Sequence, residues 1–288
     1  MAETDKCCNS REAKSTTMEE RYTSKEAKST TMEERYTSKE VCLFLSEYAV
    51  ALLGCAATCI RLDRNVNRIA TTFGKRVELF IMPRHIHMTV RNVDGDDTFT
   101  FISTVKPAPI SFSLNTKLSQ LSWHIADDSL SLDTARHRFE TIMHSDKETP
   151  WVTLTLASFA NASFCGIFGG DLVAMLIVLV ATAIGFRLKQ MMGGCHTDGR
   201  VIFLICAFIS SVIGSAGFIL SPEGTPSIAV GTSVLYLVPG IPFLNSFSDL
   251  LYRHYICAIS RFTDAIILTA CLSLGLCLGM RLMGVGMF

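Results

Sequence analysis

Five long apolar segments follow residue 150, and they constrain the fold of this chain more than any other feature. A helix needs about 20 residues to cross the hydrocarbon of a bilayer. Backbone groups in hydrocarbon must be hydrogen-bonded internally, so each such segment is expected to be helical. The predicted spans are Trp151–Phe168, Leu172–Leu188, Val201–Leu220, Ser227–Phe247 and Phe262–Met283. We therefore expect residues 150–288 to form an all-α transmembrane bundle with five helices.

The charges between these segments predict how the chain crosses the bilayer. Basic residues flank the second and fourth loops: Arg187, Lys189, Arg200, Arg253 and Arg261. The first loop (169–171) and the third loop (221–226) contain none. Because cytoplasmic loops carry the excess of Lys and Arg, loops two and four are expected in the cytoplasm, together with the N-terminal half. The C-terminus is expected outside.

The sequence before the spans predicts an α+β cytoplasmic domain at 39–149, a small antiparallel sheet with helices. Apolar and polar residues alternate in "RVELFIMP", "HIHMTVRN" and "DTFTFISTV", which is typical of three strands. Asp94-Gly95-Asp96 is typical of a hairpin turn. Helical spacing of apolar residues predicts further helices at 62–73, 114–125 and 132–143.

The apolar run Val41–Cys59 permits two interpretations. It is nearly long enough to cross a membrane. Glu47 and Tyr48 interrupt it, and Gly54 lies inside it. We interpret it as a buried helix of the cytoplasmic domain, with an additional membrane span as the alternative.

Residues 1–38 are expected to be a polar tandem-repeat tail. The unit "EAKSTTMEERYTSK" occupies Glu12–Lys25 and recurs unchanged at Glu26–Lys39. Each unit offers few apolar residues, so neither a solenoid nor a good coiled-coil seam can form from it. We interpret the tail as solvated, and partly helical or disordered. Whether the repeat belongs to the natural protein is left open.

Composition and motifs argue against several classes of function. The chain has 26 basic and 26 acidic residues, without the basic excess that nucleic-acid binding requires. His85 and His87 share one face of a predicted strand, but no third metal ligand is close in sequence, so neither a metal nor another cofactor is expected. No catalytic spacing or phosphate-binding loop is evident, so we do not expect an enzyme.

The fourth apolar segment contains "LVPGIP", which should break a spanning helix. Proline lacks a backbone donor and clashes with the preceding turn, so Pro239 and Gly240 are expected to end one half-helix and Pro242 to start another. A helix N-terminus at membrane depth attracts an anionic group such as a carboxylate. The alternative is a proline kink that only shapes packing.

Four further polar residues in the spans are candidates for the same site. Asn245 and Asp249 lie four apart, on one face of the resumed helix, and Arg261 could pair with Asp249. Asn161 lies in the middle of the first span among small residues, where it could bind substrate or serve helix packing. We expect the substrate-binding residues to be Pro239, Gly240, Asn245, Asp249, Arg261 and Asn161.

The segment "TPSIAVGTSVLYLVPGIPFLNSFSDLLYRHYICAISRF" resembles the threonine/serine exporter family. It is most similar to the large, N-terminal-domain subunit of the split two-component form, which is succinate-exporter-like. The family's Leu-Val-Pro-Gly stretch falls on Leu237–Gly240, and its following Asn and Asp fall on Asn245 and Asp249. The basic residue that opens the family's last span falls on Arg261.

The resemblance begins near Val41 and is specific in the last hundred residues. Gly169 and Gly170 match the Gly-Gly of the family's first hairpin, and Arg61 matches an Arg in its first helices. Ala56–Thr58 depart from the Gly-Ala-Glu-like stretch that precedes this Arg in the family.

The resemblance implies a subunit of an exporter of small polar metabolites, either threonine and serine or a dicarboxylate such as succinate. It implies a bacterial inner membrane, coupling to the proton gradient, and a second small membrane subunit as partner. A homo-oligomer is left open. From the residues alone, an alternative is a membrane-anchored ligand sensor or scaffold without transport activity, whose spans serve only as an anchor.

Overall fold

The computed structural model describes residues 36–93, 97–106, 108, 110–145, 149–194, 197–220 and 223–285. These form two units. The first runs to Ser145 and also includes Ser248–Ala258, and the second comprises 146–247 and 259–288. The described part of the chain is mostly helical and contains one three-stranded antiparallel sheet.

The described residues up to Ser145 form four helices and the sheet of the first unit. Its helices are α1 (Ser38–Gly54), α2 (Cys59–Thr72), α3 (Phe112–Asp127) and α4 (Leu132–His144). Its strands are β1 (Lys75–Ile81), β2 (His85–Asn92) and β3 (Thr98–Thr104), in that order across the sheet. Gly74, between α2 and β1, has a φ of 66°, a conformation that glycine adopts without a steric penalty.

The sheet confirms the three predicted antiparallel strands. Leu79 pairs with Met88, and Met88 pairs with Phe101. On β2, Ile86, Met88 and Val90 are buried in the core, while the alternate residues lie on the other face. The predicted turn at 94–96 lies outside the described residues.

Helix α1 is the centre of the first unit's core, as the buried-helix interpretation of this run predicts. Phe44, Leu45, Tyr48 and Leu52 are each 0% exposed. The helix packs on β2 and β3. Because its side chains are buried on most of its circumference, its sequence resembles a short membrane span although the helix lies in the core of the first unit.

The last residues of the predicted tail anchor the start of α1. The ring of Tyr36 lies edge-on to Phe73, with 5.7 Å between centroids. The Thr37 hydroxyl accepts the Glu40 amide at 3.3 Å, and Glu40 Oε2 accepts the Thr37 amide at 3.0 Å, which is a capping box. Ser38 donates its amide to Asp97 Oδ2 at 2.7 Å. The rest of the repeat lies outside the described residues.

The second unit contains the apolar helices. They are α5 (Pro150–Ile167), α6 (Leu172–Gly194), α7 (Gly199–Ser215), α8 (Gly217–Leu220) and α9 (Pro226–Ser233). A 3-10 turn (Leu235–Leu237), α10 (Gly240–Leu251) and α11 (Tyr255–Leu282) follow. The end of α10 and the start of α11 belong to the first unit.

Three described helices are long and apolar enough to cross a membrane: Leu172–Gly194, Gly199–Leu220 and Tyr255–Leu282. A fourth is obtained if the bent pair formed by Pro226–Leu237 and Gly240–Leu251 counts as one span. Helix α5, the predicted first span, is present but is not among them. It contains Asn161 and several Ser and Thr residues, which lower its mean hydropathy.

Helices α7 and α11 approach closely because two glycines of α11 face α7. A Cβ atom added at Gly279 would lie 2.7 Å from the Ser211 side chain, and one at Gly275 would lie 2.9 Å from Ala207. The Ser211 hydroxyl donates to the Leu276 carbonyl at 2.9 Å. Helices in a membrane associate through small residues of this kind and through hydrogen bonds between helices.

We expect Thr37→Ala to destabilise the first unit by about 1 kcal/mol, because it removes the N-cap of α1. For a unit of this size the loss should lower its Tm by about 4 °C. Thr23→Ala changes the same residue of the first repeat copy, where a polar sequence follows, and serves as the control. Thermal unfolding followed by Trp123 fluorescence in a Trp151→Phe background checks this, and equal shifts in both variants would contradict it.

Candidate functional site

The fourth apolar segment is broken where the sequence predicts it. Helix α9 ends at Ser233 and the 3-10 turn ends at Leu237. Val238 is extended (φ −57°, ψ 123°), and α10 begins at Gly240. The two parts meet at an angle of 58°. Pro239 lies in the break and has no amide hydrogen with which to continue the first helix. The predicted break at "LVPGIP" is therefore confirmed.

The backbone amides at the start of α10 are only partly available to a ligand. The Gly240 amide donates to the Val238 carbonyl at 2.8 Å, and the Phe243 amide donates to the Pro239 carbonyl at 3.3 Å. Pro242 has no amide hydrogen. In this first turn, the backbone amide that can donate a hydrogen bond to an anion is therefore that of Ile241. No atom lies within 4 Å of a Cβ added at Gly240, so the backbone there is open.

Asn161 supports the first half of the broken helix. It is 4% exposed, and its Nδ2 donates to the Thr232 carbonyl at 3.0 Å and to Thr182 Oγ1 at 2.6 Å. Thr232 lies in the last turn of α9, where carbonyls lose their helical partners. Asn161 therefore ties α5 to α6 and to α9 just before the break.

A second polar contact lies beside the break. The hydroxyls of Ser210 and Tyr236 are 3.0 Å apart, and Ser210 Oγ also donates to the Ala181 carbonyl at 3.4 Å. Both hydroxyls pack over Gly185, where any Cβ atom would collide with them. Sequence reasoning missed Thr182, Ser210 and Tyr236. Their signal is weak, because a hydroxyl inside an apolar span also bonds its own helix in many proteins.

The other end of α9 is fixed by Asp171. The Thr225 hydroxyl donates to Asp171 Oδ1 at 2.7 Å, and the Asp171 amide donates to Thr225 Oγ1 at 2.9 Å. Oδ1 also accepts the Ala174 amide at 3.2 Å and so caps α6. The hydrogen bond from Thr225 holds the pKa of Asp171 below its usual value. This carboxylate joins the starts of two helices.

The structure places Asn245 and Arg261 in the second unit, on α10 and α11, and both are half-buried. The two helices approach each other there, since the rings of Phe243 and Phe262 are 5.8 Å apart. Pro239 is buried in the break itself. The predicted site residues of the second unit thus lie on α5, at the break and on the two helices that follow it.

Asp249 lies in the first unit instead. It is 0% exposed, and its Oδ1 accepts the Cys59 amide at 2.8 Å. Its Oδ2 is 3.4 Å from Cys59 Sγ. Asp249 therefore contacts the start of α2, a partner that sequence reasoning missed.

The first unit has a polar cluster where α1, α2 and α3 meet. Asn65 Nδ2 donates to Tyr48 Oη at 3.1 Å, and Tyr48 donates to the Leu118 carbonyl at 2.9 Å. Burial raises the pKa of Tyr48. Arg68 lies 3.6 Å above the Trp123 ring. The two hydrogen bonds join α1, α2 and α3, and the contact of Arg68 with Trp123 adds a second link between α2 and α3.

The two histidines considered for a metal lie on the outer sheet face. His85 Nδ1 is 3.5 Å from the Thr104 hydroxyl, and the His87 ring lies edge-on to Phe80. Among the described residues, no group of three or more His, Cys, Asp or Glu side chains could hold a metal ion.

Apolar helices with one broken span define an integral membrane protein, and discontinuous helices of this kind mark substrate sites in transporters. A family model described as "Putative threonine/serine exporter" matches residues 43–283. The chain belongs to the threonine/serine exporter family. The family consists of transporters, which confirms the expectation that the chain is not an enzyme.

Three curated proteins are similar to parts of the chain. A "Probable succinate transporter subunit YjjP" of Klebsiella aerogenes is 26% identical over 135 residues, 46% of this chain and 52% of its own. The protein of the same name from Escherichia coli is 26% identical over 137 residues, 46% of this chain and 53% of its own. A "Probable threonine/serine exporter" of Mycobacterium tuberculosis is 20% identical over 183 residues, 63% of this chain and 34% of its own.

The chain thus spans about half the length of the two succinate-transporter relatives that it matches. No solved structure matches the chain significantly.

We expect Gly185→Ala to destabilise the second unit, because the new methyl group would collide with the Ser210 and Tyr236 hydroxyls. Overpacking of this kind costs about 1–3 kcal/mol. Gly193→Ala on the same helix is the control, since nothing lies within 4 Å of its Cβ position. Thermal unfolding in detergent measures both. A combined Gly185→Ala and Tyr236→Phe variant should recover part of the loss, and no recovery would contradict the proposed collision.

Proposed function

We propose that the chain is a subunit of an exporter of small polar metabolites that carry a carboxylate, either threonine and serine or a dicarboxylate such as succinate. The observation that carries this proposal is the 58° break between two apolar half-helices. A helix that serves only as an anchor has no need of such a break. Membership of the exporter family and the names of the relatives support the same substrates.

The proposed transporter has the arrangement expected from the sequence. Five spans at 150–288 lie in a bacterial inner membrane, and an α+β domain at 39–149 lies in the cytoplasm. Loop charges support this orientation. For α5 to be the first of the five spans, Asn161 must face other helices, and its buried contact with Thr232 supports that. Relatives named as transporter subunits support a second, small membrane subunit as partner.

The proposed substrate site lies at the break. A carboxylate needs donors, which the Ile241 amide and Arg261 can supply, while Asn245 would orient the bound group. Both hydrogens of Asn161 Nδ2 are used by Thr182 and Thr232, so Asn161 Oδ1 and the second lone pair of the Thr232 carbonyl are the acceptors beside the break. An acceptor suits the ammonium group of an amino acid, whereas a dicarboxylate would use only the donors. In this proposal the proton gradient drives the export of each substrate.

We expect Pro239→Ala and Asn161→Leu each to lower export about tenfold or more, because a misplacement of about 1 Å at a binding site has effects of that size or larger. Alanine restores an amide that can bond the Leu235 carbonyl and straighten the helix. Leucine removes the bond to Thr232. The measurement is efflux of labelled threonine, serine and succinate from energised vesicles that contain both subunits, with protein amounts checked by immunoblot.

Two variants serve as matched controls for this experiment. Ser163→Leu places the same side chain on the exposed face of α5, where the Ser163 hydroxyl bonds only its own helix. Gly240→Ala reduces the conformational freedom of the backbone at the start of α10, so it should lower export. Because the position is open, the new methyl group meets no neighbour, and the loss cannot come from a collision. Unchanged efflux in Pro239→Ala and Asn161→Leu would mean that the break is a packing kink.

The orientation predicts opposite labelling of two exposed positions. A cysteine in place of Glu223 should react with an impermeant maleimide added outside intact cells. A cysteine in place of Gln120 should react only after the membrane is opened. The parent chain measures the background from native thiols. Outside labelling at position 120 would place the soluble domain on the wrong side and reject the five-span topology.

A further inference from the structure

The corner between α10 and α11 is built into the core of the first unit. Ser248–Ala258 cluster with that unit. Asp249 is 0% exposed and Cys257 is 2% exposed. Cys257 belongs to the same apolar core as α1 and the sheet, and Arg64 of α2 lies 5.6 Å from the centre of the Tyr252 ring. An ordinary loop between two spans would be solvated, so this corner is a structural part of the soluble unit.

One hydrogen-bonded contact fastens the corner on each side. Before the turn, the carboxyl group of Asp249 accepts the Cys59 amide at 2.8 Å, at the start of α2. After the turn, Cys257 Sγ donates to the carbonyl of Ile81 at 3.4 Å, at the end of β1. The partners are 190 and 176 residues apart in sequence, so the two contacts join distant parts of one core.

Asp249 performs the task of an N-cap for α2. The residue at the N-cap position, Thr58, makes no side-chain hydrogen bond to the helix. The first amides of a helix have no partner within it and carry partial positive charge, so a carboxyl group is a favourable acceptor for them. Loss of the Asp249 oxygen would leave the buried Cys59 amide without this acceptor, which is costly in a core.

The turn itself is stiff. The His254 amide donates to the Asp249 carbonyl at 2.8 Å, and the Arg253 amide donates to the Leu250 carbonyl at 3.1 Å. Arg253 has a φ of 65°. These bonds and this left-handed residue form a Schellman motif, which usually ends on glycine. The chain between the Asp249 contact and α11 therefore has little freedom to extend.

We propose that Asp249 is a positioning residue that holds the corner of α10 and α11 on the soluble unit. In this arrangement the corner moves with the soluble unit as one body, and the broken helix changes its angle at Val238–Pro239. The inference rests on the proposed export function and adds to it a means by which the soluble unit acts on the break. It requires an acceptor oxygen at position 249 and not a proton that is bound and released.

The first test needs no transport. In the purified full chain, N-ethylmaleimide modification of Cys59 and Cys257 is followed by mass spectrometry under native conditions. Asp249→Ala should raise both rates about tenfold, because opening of the corner controls access to the thiols. Asp249→Asn should raise them less, since its side-chain oxygen can still accept the Cys59 amide. Unchanged protection in both variants would overturn the proposal.

Asp198→Ala is the matched control. It removes another aspartate that accepts a backbone amide at a helix start, that of Arg200, but it lies at the start of α7 in the second unit. It should leave the modification of Cys59 and Cys257 unchanged. If Asp249→Ala does not fold, the comparison of Asp249→Asn with the wild-type chain decides, and equal protection of the two would again overturn the proposal.

The second test separates positioning from proton transfer in vesicles with both subunits. A positioning role predicts export rates that fall in the order wild type, Asp249→Asn, Asp249→Ala, with a loss of about tenfold in the last. The remaining export should still follow the pH gradient. Equal loss of gradient dependence in both variants, with the thiols protected, would overturn the positioning role. No efflux from the wild-type chain would reject the proposed function and leave the thiol result standing.

Discussion

The second unit depends on the hydrogen bonds made by backbone amides and carbonyls where the fourth apolar segment breaks. A proline break removes helical hydrogen bonds, and in hydrocarbon each unpaired backbone group costs several kcal/mol. The Gly240 amide has its hydrogen-bond partner within the break, whereas the Thr232 carbonyl accepts a hydrogen bond from Asn161 of another helix. The second of these bonds gives Asn161 of α5 a structural role, because without that donor the end of α9 would lose this hydrogen bond.

The first unit solves a similar problem with a carboxyl group. Helix α2 starts inside the core without a side-chain cap of its own, and Asp249 supplies the acceptor from far along the chain. In both units a helix end is completed by a residue distant in sequence. Helix α10 carries both features, because the break lies at its start and Asp249 lies near its end.

Sequence patterns could predict the strands, the long helices and the break, because each depends on local periodicity or on proline. They could not predict the partners of Asn161 and Asp249, since bonds across 71 and 190 residues leave no periodic signal. The start of α1 is an intermediate case. The capping box at Thr37 and Glu40 is readable, but the repeat contains the same residues at Thr23 and Glu26. The apolar run that follows the second copy is what distinguishes it.

The spacing of Asn245 and Asp249 suggested one polar face, yet the boundary between the two units falls between these residues. Helix α10 thus contributes residues to both units. At a rise of about 1.5 Å per residue, Gly240 and Asp249 are about 14 Å apart along it. A rotation of about 10° at the Asp249 end would move the first turn of α10 by about 2 Å. A hydrogen bond near 3 Å is lost over such a shift, so a small tilt of this helix is sufficient to change the contacts at the break.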